Sequence, residues 1–177
     1  MLTKRILSYL FLAVAFFPTV ARAQGGAAVR DEMMRHFDES MSKVIALAAA
    51  MPADKYLWKP SEPAMPVGHV YAHIASYNFG YLTKEMKLPA APGINLDTLE
   101  AMRDKDQIVA LLRQSSDYVK RTVAAMPNAQ LDAPTTLYGR AVPQWAVLVQ
   151  LVAHMNEHLG QSIAYARFNN ITPPWSQ

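Results

Sequence analysis

The chain has 177 residues, about half of them apolar, with 17 basic and 14 acidic side chains and no cysteine. Once Lys4, Arg5 and Arg22 near the N-terminus are set aside, the basic and acidic counts both stand at 14. That balance excludes the basic runs that hold nucleic acid or an anionic membrane surface. The absence of cysteine excludes disulfides, thiolate metal ligands and a thiol nucleophile.

Residues 1–23 read as a secretory signal peptide. Lys4 and Arg5 precede an apolar run from Ile6 to Val20, and Ala21-Arg22-Ala23 forms a small-x-small cleavage site before Gln24. The run is short of the ~20 residues a spanning helix needs, and no cysteine is present to carry a lipid. The expectation is an exported protein, periplasmic or secreted and free of the membrane after cleavage. Residues 24–177 then form one domain with one core.

Gln24 to Ala28 reads as a loose lead-in. Val29, Met33, Phe37, Met41, Val44, Leu47 and Met51 recur at helical spacing, with charges filling much of the opposite side, and predict a first helix. His36 lies on it beside the apolar stripe and reads as a surface residue. Pro52 to Pro66 is a proline-rich connection, and Pro66 suits the start of a second helix running to about Lys87. Its inward face carries Val67, Val70, Ile74, Tyr77 and Tyr81, with His73 among the aliphatics and His69 nearer the edge. A connection follows, with a helical turn allowed around Asp97 to Met102. Asp104, with Gln107 three residues on, resembles a helix start. Ile108, Leu111, Leu112, Val119, Val123 and Met126 continue that third helix to Pro127. Asn128 to Val142 is a loop with room for a short extended piece at Thr135 to Tyr138. Pro143 opens a fourth helix that Asn169-Asn170 ends. Four amphipathic helices make an all-α four-helix bundle the economical fold.

The chemistry concentrates in the second and fourth helices. Residues four apart share a helix face, so His154 and His158 form one inward pair and His69 and His73 another. Of the second pair His73, among the aliphatics, is the better placed to offer a third imidazole. Three histidines and an open position are a common catalytic arrangement for zinc. His154-Met-Asn-Glu157-His158 also fits H-x-x-E-H, the inverted zinc-protease pattern. That class takes its third ligand from a downstream glutamate, and no acidic residue follows His158. Glu157, Gln161 and Tyr165 are the candidates for catalytic roles beside the histidines. No Gly-rich phosphate loop and no G-x-S-x-G motif is present.

Three stretches carry a family resemblance. They are Val67-Gly-His-Val-Tyr-Ala-His73-Ile, His154-x3-His158-Leu-Gly160-Gln161, and the tail from Ala164 through Arg167 to Pro174-Trp175. The loop Met51 to Pro60, with Trp58, adds a weaker match. In these the chain resembles the DinB/YfiT-like four-helix metalloproteins over nearly all of residues 24–177. The resemblance implies a bundle in which His73, His154 and His158 bind a divalent metal, zinc or nickel, often in a homodimer. It implies for His69 a place at the rim, for Gly160 a close helix approach, and for Gln161 the orientation of a histidine or water. Family activities are scattered, some being transferases or isomerases that use small cellular thiols. An exported chain departs from that setting, since such thiols abound in the cytoplasm. The functional expectation is a metal-dependent hydrolase or transferase acting on a small molecule. The alternative is a non-catalytic metal-binding or structural bundle, with His69 or Glu157 closing the coordination sphere.

Overall fold

The computed structural model describes residues 19–176, with side chains from residue 26 onward. The leader read over residues 1–23 therefore lies outside the residues whose side chains are described, and most of it outside the described residues altogether. Among the described residues no helix is long and apolar enough to cross a membrane.

Helix α1 spans Thr19–Ala50, so it starts well before Val29 and includes the stretch expected to be a loose lead-in. Glycine weakens a helix but keeps its N–H, and the alanines that follow favour it, so nothing there interrupts the ladder. Arg30 ties this part down, donating from Nη1 to the Met126 carbonyl at 3.1 Å and to Asn128 Oδ1 at 3.0 Å. The expected stripe is buried from Phe37 onward, where Phe37, Met41, Val44, Leu47 and Met51 have no exposed surface, whereas Met33 is half-buried and Val29 is exposed. His36 is exposed, beside Glu32 and Arg35.

Helix α2 spans Val67–Gly80 and continues as a π-helical turn over Tyr81–Glu85. Pro66 has no side chain that can cap, so the first N–H groups of α2 find partners in the preceding loop. Val67 N donates to the Trp58 carbonyl at 3.0 Å and Gly68 N to the Tyr56 carbonyl at 2.8 Å. Lys87, with φ of 58°, takes the chain out of the helical direction. A four-residue helix α3, Leu96–Leu99, follows in the connection, capped by the Asn95 side chain on Asp97 N. Helix α4, Lys105–Ala124, opens as expected, with Asp104 Oδ1 accepting from Gln107 N at 2.9 Å.

The loop before the last helix contains a hairpin, β1 Pro134–Leu137 paired antiparallel with β2 Arg140–Pro143. Its two-residue turn, Tyr138-Gly139, has positive φ at both positions, 49° and 76°. That is the turn whose twist matches antiparallel strands. Helix α5, Gln144–Phe168, completes the fold.

Helices α1, α2, α4 and α5 form the bundle. Each of α1 and α2 packs against both α4 and α5, so α1 lies diagonal to α2 and α4 diagonal to α5. The core is a single cluster drawn from all four. Its buried polar group Asn78 donates to Ser115 Oγ at 3.1 Å, and Ser115 in turn donates to the Leu112 carbonyl at 2.9 Å, so neither hydroxyl nor amide is stranded. The seam between α2 and α5 is where the two histidine-bearing faces meet.

Candidate metal centre

His73 comes from α2, and His154 and His158 from consecutive turns of α5. Their ring centroids lie 5.1 Å (His73–His154), 4.9 Å (His73–His158) and 4.6 Å (His154–His158) apart. One nitrogen from each ring falls within 4.8 Å of the others, an arrangement that can hold a metal ion. His73 Nε2 and His154 Nε2 are 3.2 Å apart. Two nitrogens each about 2.05 Å from a tetrahedral ion stand roughly 3.3 Å apart, so this spacing suits shared ligation. The same spacing also lets one of these nitrogens donate to the other, the direction being set by the tautomers.

The far sides of the His158 and His73 rings show which of their nitrogens faces inward. His158 Nδ1 lies 2.8 Å from Gln161 Oε1, and Gln161 Nε2 donates to Tyr165 Oη at 2.9 Å. The proton of His158 therefore sits on Nδ1, which leaves the Nε2 lone pair for the cluster. Trp58, from the loop before α2, packs edge-on against Tyr165 with centroids 5.5 Å apart, so the loop supports this relay. His73 Nδ1 lies 3.1 Å from Glu100 Oε1, close but off the line of a straight hydrogen bond. The other oxygen of Glu100 meets His69 Nε2 at 3.0 Å. The Tyr77 ring stacks on His154 at 4.4 Å and also lies 4.4 Å from His73.

Burial governs the charges. It pushes His154 down to about 3, helped by repulsion from His158 and His73 and opposed by Glu100. His73 is lowered as well, burial outweighing the Glu100 carboxylate that favours its charged form. For Glu100 burial opposes ionisation, but the hydrogen bonds and charges of His69 and His73 prevail and hold its carboxyl below the usual range. Burial also raises Tyr77 and Tyr81, which stay neutral phenols. Neutral imidazoles are the form that binds metal. The donor set thus fits a divalent ion that accepts imidazole nitrogen.

Of the residues singled out in the sequence, His73, His154 and His158 come together, and Gln161 and Tyr165 back His158. Glu157 is exposed and outside the cluster. His69 stands at the rim, its Nε2 engaged by Glu100. Neither residue named as a fourth ligand therefore joins the three histidines. Within this chain Gly160 makes no close approach: it is exposed, and a Cβ there would meet nothing within 4 Å. The close approach belongs to Gly68, where a Cβ would stand 2.9 Å from Tyr56 Cδ1 and 3.2 Å from the Tyr56 carbonyl oxygen. Glu100 carried no signal in the sequence, because it lies in a connection 31 residues beyond His69 with no periodic partner. Beside the cluster, Glu100, Tyr77, Tyr81, Lys84 and Tyr138 line a cavity of ≈ 290 Å³, where Tyr81 Oη and Tyr138 Oη are 2.5 Å apart.

Solved structures repeat this fold. A DinB-like protein from Bacillus cereus is similar with a TM-score of 0.70 at 15% identity, covering 81% of this chain and 95% of that one. A DinB-like protein from Bacillus subtilis is similar with a TM-score of 0.64 at 21% identity, covering 82% and 97%. A conserved protein from Enterococcus faecalis has a TM-score of 0.52 at 15% identity, over 86% and 97%. No curated protein matches the chain. The family model described as DinB superfamily matches residues 36–162, a stretch that runs from α1 through His73 and Glu100 to His154 and His158. The chain belongs to the DinB superfamily.

Proposed function

We propose that this is an exported metal-binding protein in which His73, His154 and His158 ligate one zinc or nickel ion, and that it acts as a metal-dependent hydrolase or transferase on a small molecule. The observation that carries the reading is the approach of His73 Nε2 to His154 Nε2 at 3.2 Å, with His158 turned toward both by Gln161. A divalent ion held by these three imidazoles would supply Lewis-acid chemistry at an open position. The chain's own residues prepare that position. Gln161 and Tyr165 hold the His158 ring, Tyr77 covers one face of His154, and Trp58 packs behind Tyr165. The separation of His69 and Glu157 from the three nitrogens favours an open site over one closed by a fourth protein ligand.

The test is metal content by elemental mass spectrometry on protein purified without a histidine tag, with His73→Ala in parallel. Close to one zinc or nickel per chain, lost in the variant, is expected. A native protein that stays metal-free after incubation with divalent ions would end the reading. For catalysis, a panel of ester, amide and phosphate substrates should show turnover that His73→Ala abolishes, and full activity in that variant would remove the metal from the reaction. Export rests on the leader at residues 1–23, and N-terminal sequencing of protein from the cell envelope or medium should begin at Gln24. A homodimer belongs to the same reading, and sedimentation equilibrium that finds only monomer would remove it.

A further inference from the structure

His73 differs from the other two histidines in what stands behind it. Its Nε2 faces His154, and its buried Nδ1 has the Glu100 carboxylate 3.1 Å away as the acceptor in reach. The second oxygen of that carboxylate meets His69 Nε2 at 3.0 Å, so Glu100 spans two histidines one turn apart on α2. We propose that Glu100 is a positioning residue of the metal centre, which keeps the His73 proton on Nδ1 and so presents the Nε2 lone pair to the ion. His69 holds the far oxygen and keeps the carboxylate turned toward His73. The inference rests on the metal reading of the three histidines.

The argument starts from what each group can donate. A neutral imidazole has one N–H and one lone pair, while an ionised carboxylate only accepts. Facing Glu100, Nδ1 must therefore carry the proton. Gln161 does the same for His158, but an amide can present either end, whereas a carboxylate admits one sense. The charge also makes Nε2 a stronger donor to a cation. The contact is close, at 3.1 Å, but bent away from the line of a straight hydrogen bond.

The support of the carboxylate is built from α3. Leu99 is buried, Asn95 caps the first turn, and the Glu100 carbonyl accepts from Arg103 Nη1 at 2.9 Å. A four-residue helix in a long connection thus acquires a reason to be there: it carries one carboxylate to the back of one ligand. The same three residues, His69, His73 and Glu100, could instead hold a second cation, since their ligating atoms lie within 4.8 Å of one another. In that case His73 Nδ1 would be a ligand and carry no proton. The two arrangements differ in stoichiometry.

The experiment uses the full chain and its Glu100→Gln, Glu100→Ala and Glu100→Asp variants. Each is titrated with Zn²⁺ against a chromophoric chelator and, separately, loaded with Co²⁺ for its visible spectrum. Expected is one metal per chain throughout, with affinity about 10- to 100-fold lower in Glu100→Ala. Glu100→Gln should fall between, and Glu100→Asp should recover part of the loss. The Co²⁺ bands should shift in Glu100→Ala and Glu100→Gln, which a role confined to packing would not produce. Unchanged affinity and spectrum in both variants would overturn the positioning role while leaving the three-histidine site in place. Two metals per wild-type chain, one of them lost in Glu100→Ala, would overturn it in favour of a second cation. A wild-type chain that binds neither ion would overturn the underlying metal reading. The near-isosteric Glu100→Gln carries the test if the alanine variant does not fold.

Discussion

The His158 ring is steered by a relay that ends in the protein's aromatic cladding. Its Nδ1 stands 2.8 Å from Gln161 Oε1, and the amide is held in that sense because its other end donates to Tyr165 Oη at 2.9 Å. Replacing Gln161 by leucine removes the acceptor and leaves the tautomer free. Zinc affinity measured by calorimetry should then fall roughly 10- to 100-fold, and an unchanged affinity would deny Gln161 that role. Two glycines make an opposite pair. At Gly160 a Cβ meets open space on the exposed side of a regular helix, so Gly160→Ala should stabilise the fold by up to about 1 kcal/mol in urea unfolding. The family resemblance suggested a packing role for this glycine, and within the chain its exposed position offers none. A loss of stability in Gly160→Ala would show that the helix is crowded there after all.

At the scale of elements, the junction between the proline-rich loop and α2 is the tightest point near the site. Tyr56 lends its carbonyl to Gly68 N at 2.8 Å and buries its own hydroxyl against the Ala48 carbonyl at 2.8 Å. A methyl group at Gly68 would press on both the Tyr56 ring and its carbonyl. Gly68→Ala should therefore cost about 1–3 kcal/mol in urea unfolding, and because His69 and His73 follow on the same helix, it should also weaken metal binding. A neutral substitution would mean that the loop yields without disturbing α2. The four long helices were readable from apolar spacing, and Asp104 from its capping partner, because those signals are local. The hairpin turn at Tyr138-Gly139 was not, since its two positive φ values depend on the strands it joins. The α3 turn was legible only as a possibility, and its product, Glu100, not at all.

For the molecule as a whole, the buried imidazoles couple stability to pH. In the metal-free protein His154 titrates near 3 and His73 also lower than an exposed histidine, both chiefly through burial. Below about pH 6.5 the unfolded chain takes up protons that the folded one resists, so stability falls as pH drops, for His154 down to about 3. The lowered carboxyl of Glu100 adds a loss in the same direction at more acid pH. Thermal unfolding of metal-free protein should thus show Tm falling from pH 7.5 to 4.5, with a flatter profile in His154→Gln. A wild-type Tm that does not change over this range would contradict the burial of neutral histidines. Added zinc should raise Tm at neutral pH in proportion to its binding to the folded state alone. The helical class, the four long helices, the lack of a cysteine thiol and the three histidines were legible along the chain, since helical spacing and residue type are local signals. That α2 lies beside α5 and diagonal to α1, that His73 Nε2 faces His154, and that Glu100 stands behind His73 emerged with the packed bundle. Those follow from how amphipathic faces close around one core, and a helix's own periodicity does not name its neighbour.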